Sequence, residues 1–278
     1  MTDRELRIKS IQYRMALLRY IRRAKAGHTG GSLSCVDILN VLYNRILRVS
    51  PETSHDPMRD RYVQSKGHSV EALYVVLADK GFFPESDLET LCQYKSPYVG
   101  HPTRKIPGIE QNTGALGHGL AFSAGVALAA KKDKAGYRVF ALMGDGELAE
   151  GSNWESMLTA AHYHLDNLTA IVDRNHLQIS GRTEELCGLE PLKEKFQAFG
   201  WAVRAVDGHD VTALADVLGA VPFEPGRPSM VIARTIKGKG VRFMENDPKW
   251  HHGVPSDSQY EQAQQELARQ LQEVGRGS

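Results

Sequence analysis

The chain has 278 residues, of which 41% are hydrophobic and 24% are charged. These proportions are ordinary for a globular protein that buries a sizeable core, as one large domain or two small ones. A formal net charge of +1 gives no indication of a nucleic-acid or anionic-membrane partner. No apolar run approaches the roughly 20 residues that cross a bilayer, so we expect no membrane contact.

The cysteines indicate a reducing environment. Cys35, Cys92 and Cys187 cannot all pair with one another and show no metal-ligand spacing. The N-terminus is charged from Asp3 to Lys9 and contains no apolar signal core. We therefore predict a cytoplasmic protein.

Helix and strand patterns alternate along the chain. Apolar residues at helical spacing predict a first helix over 3–26, and Ser34 is a candidate N-cap for a second that runs to about Leu47. Further helices are predicted over 71–80, 84–94, 119–132, 191–199, 211–218 and 258–273. Strands are predicted over 60–65, 137–142, 168–172, 201–206 and 229–235. This alternation is typical of an α/β fold with a doubly wound parallel sheet flanked by helices.

The strongest chemical signal lies where two predicted strands end. Gly144-Asp145-Gly146 follows one strand, and Asn175 follows the next. Because the ends of parallel strands open onto one crevice, we expect the Asp145 carboxylate, the Asn175 amide oxygen and a backbone carbonyl such as that of Leu177 to lie together. Oxygen ligands of this kind suit Mg²⁺ or Ca²⁺.

A single carboxylate carries too little charge to hold a divalent cation tightly. We expect a diphosphate to complete the metal shell, near the N-terminus of the helix predicted after Gly146, where free N–H groups favour anions. Gly144 and Gly146 lack a Cβ and let the backbone approach such an anion closely. Taken alone, Gly-Asp-Gly is usually only a turn.

A second glycine-rich segment, 237–240, also invites a phosphate-binding interpretation. It reads Lys-Gly-Lys-Gly and lacks both the spacing and the Lys-Ser/Thr ending of a Walker A motif. We therefore do not predict a phosphate loop there.

Four histidines lie in loops beside glycine or proline: His28, His68, His101 and His252. One such histidine is usually a solvated loop residue, but four in one chain indicate a shared polar pocket. Histidine can donate to sugar hydroxyls and exchange protons near neutral pH. Zinc is the competing explanation, but no Cys/His pair has zinc-ligand spacing.

The Gly-Asp-Gly…Asn arrangement resembles the thiamine diphosphate motif, and the run from Gly144 to Gly151 is most similar to the transketolase family. Other segments share this resemblance, namely Gly27-His28, Ser65-Lys66-Gly67-His68, Gly100-His101-Pro102, Thr113-Gly114-Ala115-Leu116-Gly117 and His252-Gly253. The similarity extends from about residue 10 to residue 255. Thr29 departs from the proline of many family members, which concerns loop stiffness more than chemistry.

The resemblance implies a role for each matched residue. His28 and His252 would handle the substrate carbonyl and hydroxyl, and His101 would contact the terminal hydroxyl of the donor. Asp145, Asn175 and Leu177 would bind the metal ion. The implied cofactor-binding residues are His68, Gly114, Ala115, Leu116, Gly144, Asp145, Gly146, Glu150, Glu155, Asn175, Leu177 and Ile179. Among these, Leu116 and Ile179 are packing candidates, while Glu150 and Glu155 resemble carboxylates near the contact between two cofactor sites.

The resemblance also implies a partner. Family members usually carry a second module, which binds the aminopyrimidine ring and supplies the glutamate that activates the cofactor. No such module follows here, so we expect one thiamine diphosphate-binding (PP-module) domain over 1–278, with a helical extension over 256–278. The chain would be the N-terminal subunit of a split transketolase and would join a C-terminal subunit in an α2β2 assembly.

The implied reaction is transfer of a two-carbon ketol unit from a ketose, such as a sugar phosphate, to an aldose. The α subunit of a 2-oxo acid dehydrogenase shares Gly-Asp-Gly…Asn, but its substrate offers no ketol hydroxyls for the histidines. A 1-deoxyxylulose-5-phosphate synthase-like enzyme normally carries its second module in the same chain. A non-catalytic subunit is the remaining alternative, and the retained Asp145, Asn175 and four histidines speak against it.

Overall fold

A five-stranded parallel sheet forms the centre of the protein in a computed structural model that describes residues 1–276. Its strands lie in the order β1-β2-β3-β7-β6, and a small hairpin joins β4 to β5. The strands are β1 (Arg61–Gln64), β2 (Val139–Gly144), β3 (Leu168–Arg174), β4 (Leu177–Gln178), β5 (Gly181–Arg182), β6 (Ala202–Asp207) and β7 (Ser229–Arg234).

Helices cover the sheet. They are α1 (Asp3–Ala24), α2 (Thr29–Val41), α3 (Val70–Asp79), α4 (Gly119–Lys132), α5 (Gly151–His162), α6 (Thr183–Leu186), α7 (Leu192–Ala198), α8 (Val211–Gly219) and α9 (Asp257–Arg276). Short 3-10 turns occur at Gly67–Ser69, Glu85–Thr90, Gly146–Ala149 and Pro248–Trp250, and a π-helical turn over Leu42–Ile46 extends α2.

The strands separate two hydrophobic cores because successive strand side chains point to opposite faces. In β2, Phe140 and Leu142 pack into the core formed with α1, α2, α3 and α8. Val139, Ala141 and Met143 pack into the core formed with α4, α5 and α7. With both faces covered, β2 is buried along its whole length and apolar throughout. This arrangement confirms the predicted doubly wound α/β fold.

The second helix begins earlier than predicted. It starts at Thr29, with His28 at the N-cap, rather than after a cap at Ser34. Gly30 therefore lies in the first helical turn, where a Cβ would come within 2.9 Å of the Trp250 carbonyl oxygen. The glycines that suggested a turn are needed for close packing of a buried helix, and tertiary contact overrides their low helix propensity.

Two other helix predictions were wrong in extent. The helix predicted over 84–94 is only the 3-10 turn Glu85–Thr90, since the chain adopts positive φ angles at Cys92 (56°) and Lys95 (64°). After β2, the 3-10 turn Gly146–Ala149 precedes α5, which begins at Gly151. The predicted anion position therefore lies beside a 3-10 turn rather than at the start of an α-helix.

The C-terminal helix packs against the N-terminal one. Ala263 and Leu267 of α9 are buried in the same core as α1, and the Gln264 side chain donates to the Met15 carbonyl over 2.9 Å. The single domain over 1–278 with an extension from 256 stays a prediction, and residues 277 and 278 lie outside the described residues. Across residues 1–276, no helix combines the length and apolar character that a bilayer crossing requires.

We predict that Asp60→Asn destabilises the fold. The buried Asp60 carboxylate accepts hydrogen bonds from Arg48 Nη2 (2.9 Å) and Arg138 Nη2 (2.6 Å), and the second of these joins the start of β1 to the start of β2. Both arginines are partly exposed, so we expect a loss of about 1–3 kcal/mol in the free energy of unfolding. Urea denaturation of the variant, with exposed Asp133→Asn as the control, measures this loss.

The pH dependence of this loss provides a second check. Burial alone would raise the pKa of Asp60, but hydrogen bonds from Arg138 and Arg48 lower it to about 2. The wild-type advantage should be complete above the unfolded pKa of about 3.9 and disappear as the pH falls through the folded pKa. A stability difference that stays constant down to the folded pKa would contradict this assignment.

Candidate active site

Four loops meet at one edge of the sheet. They follow β1, β2, β3 and β7, and their strands are parallel, so their carboxyl ends open on the same side. The sequence predicted this meeting for β2 and β3. The cleft between the loops is lined by Gly31, Lys66, His68, Leu116, Gly144, Asp145, Gly146, Glu147, Glu150, Asn175, Leu177, Gln178, Ile179, Lys237 and His251.

The Asp145 carboxylate is buried at the end of β2, with 1% of its surface exposed. One oxygen accepts from the Gly146 N–H (2.8 Å), and the other accepts from the His176 N–H (2.6 Å) and Arg174 Nη1 (3.1 Å). Burial and the nearby Asp173 raise the pKa of Asp145 to about 6. The carboxylate is thus held in place by fixed donors, and a cation beside it would favour its charged form.

Asn175 and Leu177 place two more oxygens in the same cleft. The Asn175 amide oxygen accepts from the Leu177 N–H over 3.1 Å, which fixes the turn after β3. The Leu177 carbonyl lies 3.4 Å from Lys237 Nζ. Within residues 1–276, no three His, Cys, Asp or Glu side chains are arranged to hold a metal ion. A cation here would use one carboxylate together with the amide and backbone oxygens.

A buried ion pair lies beneath these oxygens. Lys66, after β1, pairs with Asp173 of β3, and their side chains are 1% and 0% exposed. Asp173 also accepts hydrogen bonds from Ser34 of α2 and Thr235 after β7. Lys66 donates in addition to the Gly31 carbonyl over 3.0 Å. The pair therefore joins three strand ends to the start of α2.

Sequence reasoning missed Lys237 and His251. Lys237 is 2% exposed, and its ammonium lies 3.0 Å from His251 Nδ1. Among the described residues it has no carboxylate within 4.0 Å, and burial together with Lys66 lowers its pKa to about 8. The sequence feature that could have indicated Lys237 is its position just after a predicted strand. For His251 that feature is its place next to the predicted His252.

Five histidine rings gather beside the cleft, with His28 at the centre. Its ring centroid lies 5.4 Å from that of His68, 5.8 Å from His101, 5.5 Å from His251 and 4.6 Å from His252. The structure thus brings all four predicted histidines together and adds His251. The cluster offers several hydrogen-bonding groups to one small polar ligand.

Burial keeps the inner rings uncharged. It lowers the pKa of His28 to about 3 and that of His251 to about 4, in both cases with the help of neighbouring positive groups. Burial also lowers the pKa of His68 and of His101. Near neutral pH these imidazoles are neutral, so each can donate from one nitrogen and accept at the other.

Glu147 ties the surrounding loops together. Its buried carboxylate accepts from the Gly117 N–H (2.9 Å), the Gly144 N–H (3.0 Å) and the Ser65 hydroxyl. The loop before α4 is thereby fixed against the ends of β1 and β2. In the sequence, only the position of Glu147 directly after Gly-Asp-Gly could have indicated its role.

The segment with the predicted cofactor-binding residues Gly114, Ala115 and Leu116 lies beside the histidines. Leu116 lines the cleft, whereas Ala115 is exposed and Gly114 lies outside the lining. Gly114 has a φ of +139°, and a Cβ there would approach His101 Cδ2 to 2.8 Å. Glycine is needed at this position for both the backbone conformation and the space for His101.

The remaining predicted residues lie at the mouth of the cleft or beyond it. Glu150 lines the cleft and is exposed, and Ile179 lines it with 62% of its surface exposed. Glu155 is exposed on α5 and does not contribute to the lining. Ile179 is thus an exposed apolar side chain at the mouth of a polar cleft.

The cleft suits a diphosphate with a divalent cation. Asp145, Asn175 and Leu177 offer the oxygen ligands that hard cations prefer. Lys237 is a buried ammonium without a described carboxylate partner, and such a charge is costly unless an anion compensates it. His68 stands beside it in the lining. The donor set therefore matches an anion and a cation bound together.

Comparison with known proteins agrees with this chemistry. Residues 7–273 match the family described as transketolase, thiamine diphosphate binding domain. The structure of transketolase from Campylobacter jejuni superimposes with a TM-score of 0.89 and 30% identity, covering 95% of this chain and 43% of that one. Thiamine diphosphate with a divalent metal ion, the predicted cofactor pair, is thereby confirmed.

Relatives by sequence include both short subunits and long enzymes. An apulose-4-phosphate transketolase subunit of Phocaeicola vulgatus is 47% identical over 269 residues, covering 97% of this chain and 96% of that protein. The 6-deoxy-6-sulfo-D-fructose transketolase subunit SqwG of a Clostridium species is 38% identical over 258 residues, covering 92% and 94%. Human transketolase is 38% identical over 272 residues, covering 98% of this chain and 42% of that enzyme.

The family match spans most of the chain, and two relatives align along nearly their full length. The strand-end oxygens and the buried lysines line one cleft together with two of the clustered histidines, His68 and His251. The chain therefore belongs to the transketolase family and represents its thiamine diphosphate-binding domain.

Proposed function

We propose that this chain is the diphosphate-binding subunit of a two-subunit transketolase, active only with an aminopyrimidine-binding C-terminal subunit. The observation that carries this proposal is the fraction of each relative's length that aligns with this chain. The chain aligns with 96% of a relative whose name describes it as one transketolase subunit, but with 42% of human transketolase. The exposed Ile179 beside the cleft supports a covering partner, and the symmetry of family dimers favours an α2β2 assembly.

The chain's own residues would hold the cofactor by its diphosphate. Asp145, Asn175 and the Leu177 carbonyl would bind Mg²⁺ or Ca²⁺. Lys237 and His68 would contact the diphosphate oxygens, since they line the same cleft and supply N–H donors. The other proposed cofactor neighbours are Gly114, Ala115, Leu116, Gly144, Gly146, Glu150, Glu155 and Ile179. Of these, Gly114, Ala115 and Glu155 lie outside the lining of the cleft.

Bound thiamine diphosphate supplies the nucleophilic carbon that carries a two-carbon unit from a ketose to an aldose. The histidines would orient the substrate and move its protons. His28 and His252 would bind the ketose carbonyl and hydroxyl, and His101 would bind the terminal hydroxyl. The neutral rings of His28 and His101 can donate or accept as each hydroxyl requires.

The relatives suggest where to look for the substrate. Their names specify apulose 4-phosphate in one case and 6-deoxy-6-sulfo-D-fructose in another. We propose a phosphorylated ketose as the donor and would assay apulose 4-phosphate first, because the relative named for it is 47% identical. The free thiols of Cys35, Cys92 and Cys187 support a cytoplasmic location.

We predict that Asp145→Asn and Asn175→Ala abolish Mg²⁺-dependent binding of thiamine diphosphate. Asparagine is the sharper change at Asp145, because alanine would also remove the acceptor oxygens of the Gly146 and His176 N–H groups. The expected loss is at least the roughly 10–100-fold that removal of an outer-shell partner costs a metal site. Titration calorimetry with the partner subunit present measures the affinity. Asp166→Asn, at the opposite end of β3, is the control, and unchanged affinity in both variants would remove the proposed cation site.

We predict that His28→Ala, His101→Ala and His252→Ala lower kcat more than they weaken cofactor binding, whereas His68→Ala does the reverse. The first three are assigned to the substrate and the fourth to the diphosphate. Loss of a general acid or base typically costs about 10²–10⁴ in rate. Steady-state kinetics and cofactor titration separate the two effects, with exposed His55→Ala as the control. Near wild-type turnover in the first three variants would refute their assignment.

We predict that the purified chain has no ketol-transfer activity alone and gains it with a second subunit. Without a covering surface, water has access to the reacting carbon of the cofactor. The assay contains thiamine diphosphate, Mg²⁺, a ketose phosphate donor and an aldose acceptor, with and without the candidate partner. Full activity of the chain alone would disprove the split-enzyme proposal.

A further inference from the structure

A buried carboxylate on α3 lies beneath the histidine cluster and has no role in the site described above. Glu71 is 1% exposed, and its Oε1 accepts from the His28 backbone N–H over 3.1 Å. Its Oε2 accepts from the Ser32 hydroxyl over 2.7 Å. No Lys or Arg among the described residues lies within 4.0 Å of this carboxylate. An unpaired buried carboxylate is costly, so its position needs an explanation.

The start of α2 supplies that explanation. His28 is the N-cap of α2, yet its side chain makes no capping bond, and the first turn contains no acidic residue. Helix N-termini favour negative charge because their first N–H groups lack partners within the helix. The Glu71 carboxylate accepts from the N-cap N–H, as the N3 side chain does in a capping box, but it comes from a different helix.

The His28 ring depends on its backbone for its position. Its Nδ1 is buried and has no hydrogen-bond partner, so no side-chain bond at this atom fixes the imidazole. Gly27, immediately before it, has a φ of +154°, and a Cβ there would lie 2.9 Å from Glu71 Oε1. The Glu71 carboxylate is therefore packed directly against the turn at Gly27 and His28, which sets the direction of the His28 ring.

The same helix also supports a second histidine loop. The Tyr74 hydroxyl lies 3.1 Å from the Val99 carbonyl and 3.2 Å from the His101 carbonyl, to which it can donate. His68 lies in the 3-10 turn that leads into α3. The positions of three clustered histidines are thus set relative to α3, with Glu71 providing the contact to His28.

We propose that Glu71 is a positioning residue, which caps α2 from α3 and thereby fixes the direction of the His28 ring toward the substrate. The catalytic consequence rests on the proposed function, whereas the cap itself can be tested without it. Burial raises the pKa of Glu71 to about 7, and the Ser32 and His28 donors oppose that rise. Either protonation state retains an acceptor oxygen for the His28 N–H.

The test compares Glu71→Ala and Glu71→Gln with Asp79→Asn. Asp79 is a matched control, since it lies at the other end of α3, where it accepts from the Tyr13 hydroxyl over 2.6 Å. The first measurement is amide hydrogen exchange of residues 27–32 in the purified chain. Loss of the hydrogen bond from the His28 N–H should speed exchange of this segment by about tenfold or more in Glu71→Ala. Glu71→Gln keeps an acceptor and should stay near the wild type.

The second measurement is kinetics of the enzyme reconstituted with its partner. Glu71→Ala should lower kcat by about 10–100-fold, the effect of a small misplacement of a reacting group. Its affinity for thiamine diphosphate should stay within about twofold of the wild type, because the diphosphate contacts remain, and Glu71→Gln should restore most of the lost kcat. Asp79→Asn should lower the melting temperature and leave kcat unchanged.

Two results would overturn the inference. One is unchanged exchange of residues 27–32 in Glu71→Ala, which would show that the carboxylate does not hold the turn. The other is a fall in kcat only in proportion to a fall in cofactor affinity, which would indicate general loss of structure. An inactive wild-type complex would contradict the proposed function instead, and the exchange measurement would still decide whether Glu71 caps α2.

Discussion

The ion pair between Lys66 and Asp173 is the interaction on which the arrangement of the site depends. Burying two charges is unfavourable unless they are paired and fully hydrogen-bonded. Asp173 meets this condition through Lys66, Ser34 and Thr235. Burial alone would raise the pKa of Asp173, but the Lys66 ammonium holds it below its usual value. The ends of three strands and the start of α2 are thereby held in a single geometry.

The charges around the cleft follow from this pair. Asp173 compensates Lys66, which leaves Lys237 as a buried ammonium with no described carboxylate partner. In the same cleft, Asp145 is a carboxylate whose pKa is raised by burial. In the proposed site, a diphosphate would compensate the Lys237 ammonium and a divalent cation would bind the Asp145 carboxylate, and these two ligands would also compensate each other.

The sequence predicted the parts of the site that depend on local pattern. Asp145 and Asn175 were found because each follows a strand whose apolar pattern is clear, and parallel strands bring their ends together. Lys237 was missed because its Lys-Gly-Lys-Gly setting matches no phosphate loop, and its burial is a tertiary property. Glu71 carries no local signal, since its partners lie 39 and 43 residues away in the chain. The glycines before Ser34 suggested a turn because the buried packing of α2 is likewise invisible in local sequence.

Because the five strands are parallel, the cleft lies at their C-terminal ends and the turns that precede the strands lie at the opposite ends. Strand β2 has six residues, so its two ends lie about 20 Å apart at roughly 3.3 Å per residue. The exposed turn over 133–136 leads into the N-terminal end of β2, whereas Asp145 follows the C-terminal end of that strand. A fluorophore or an affinity tag inserted there would stand well clear of the cleft. The fold therefore provides a natural attachment point for labelling this chain without altering its cofactor site.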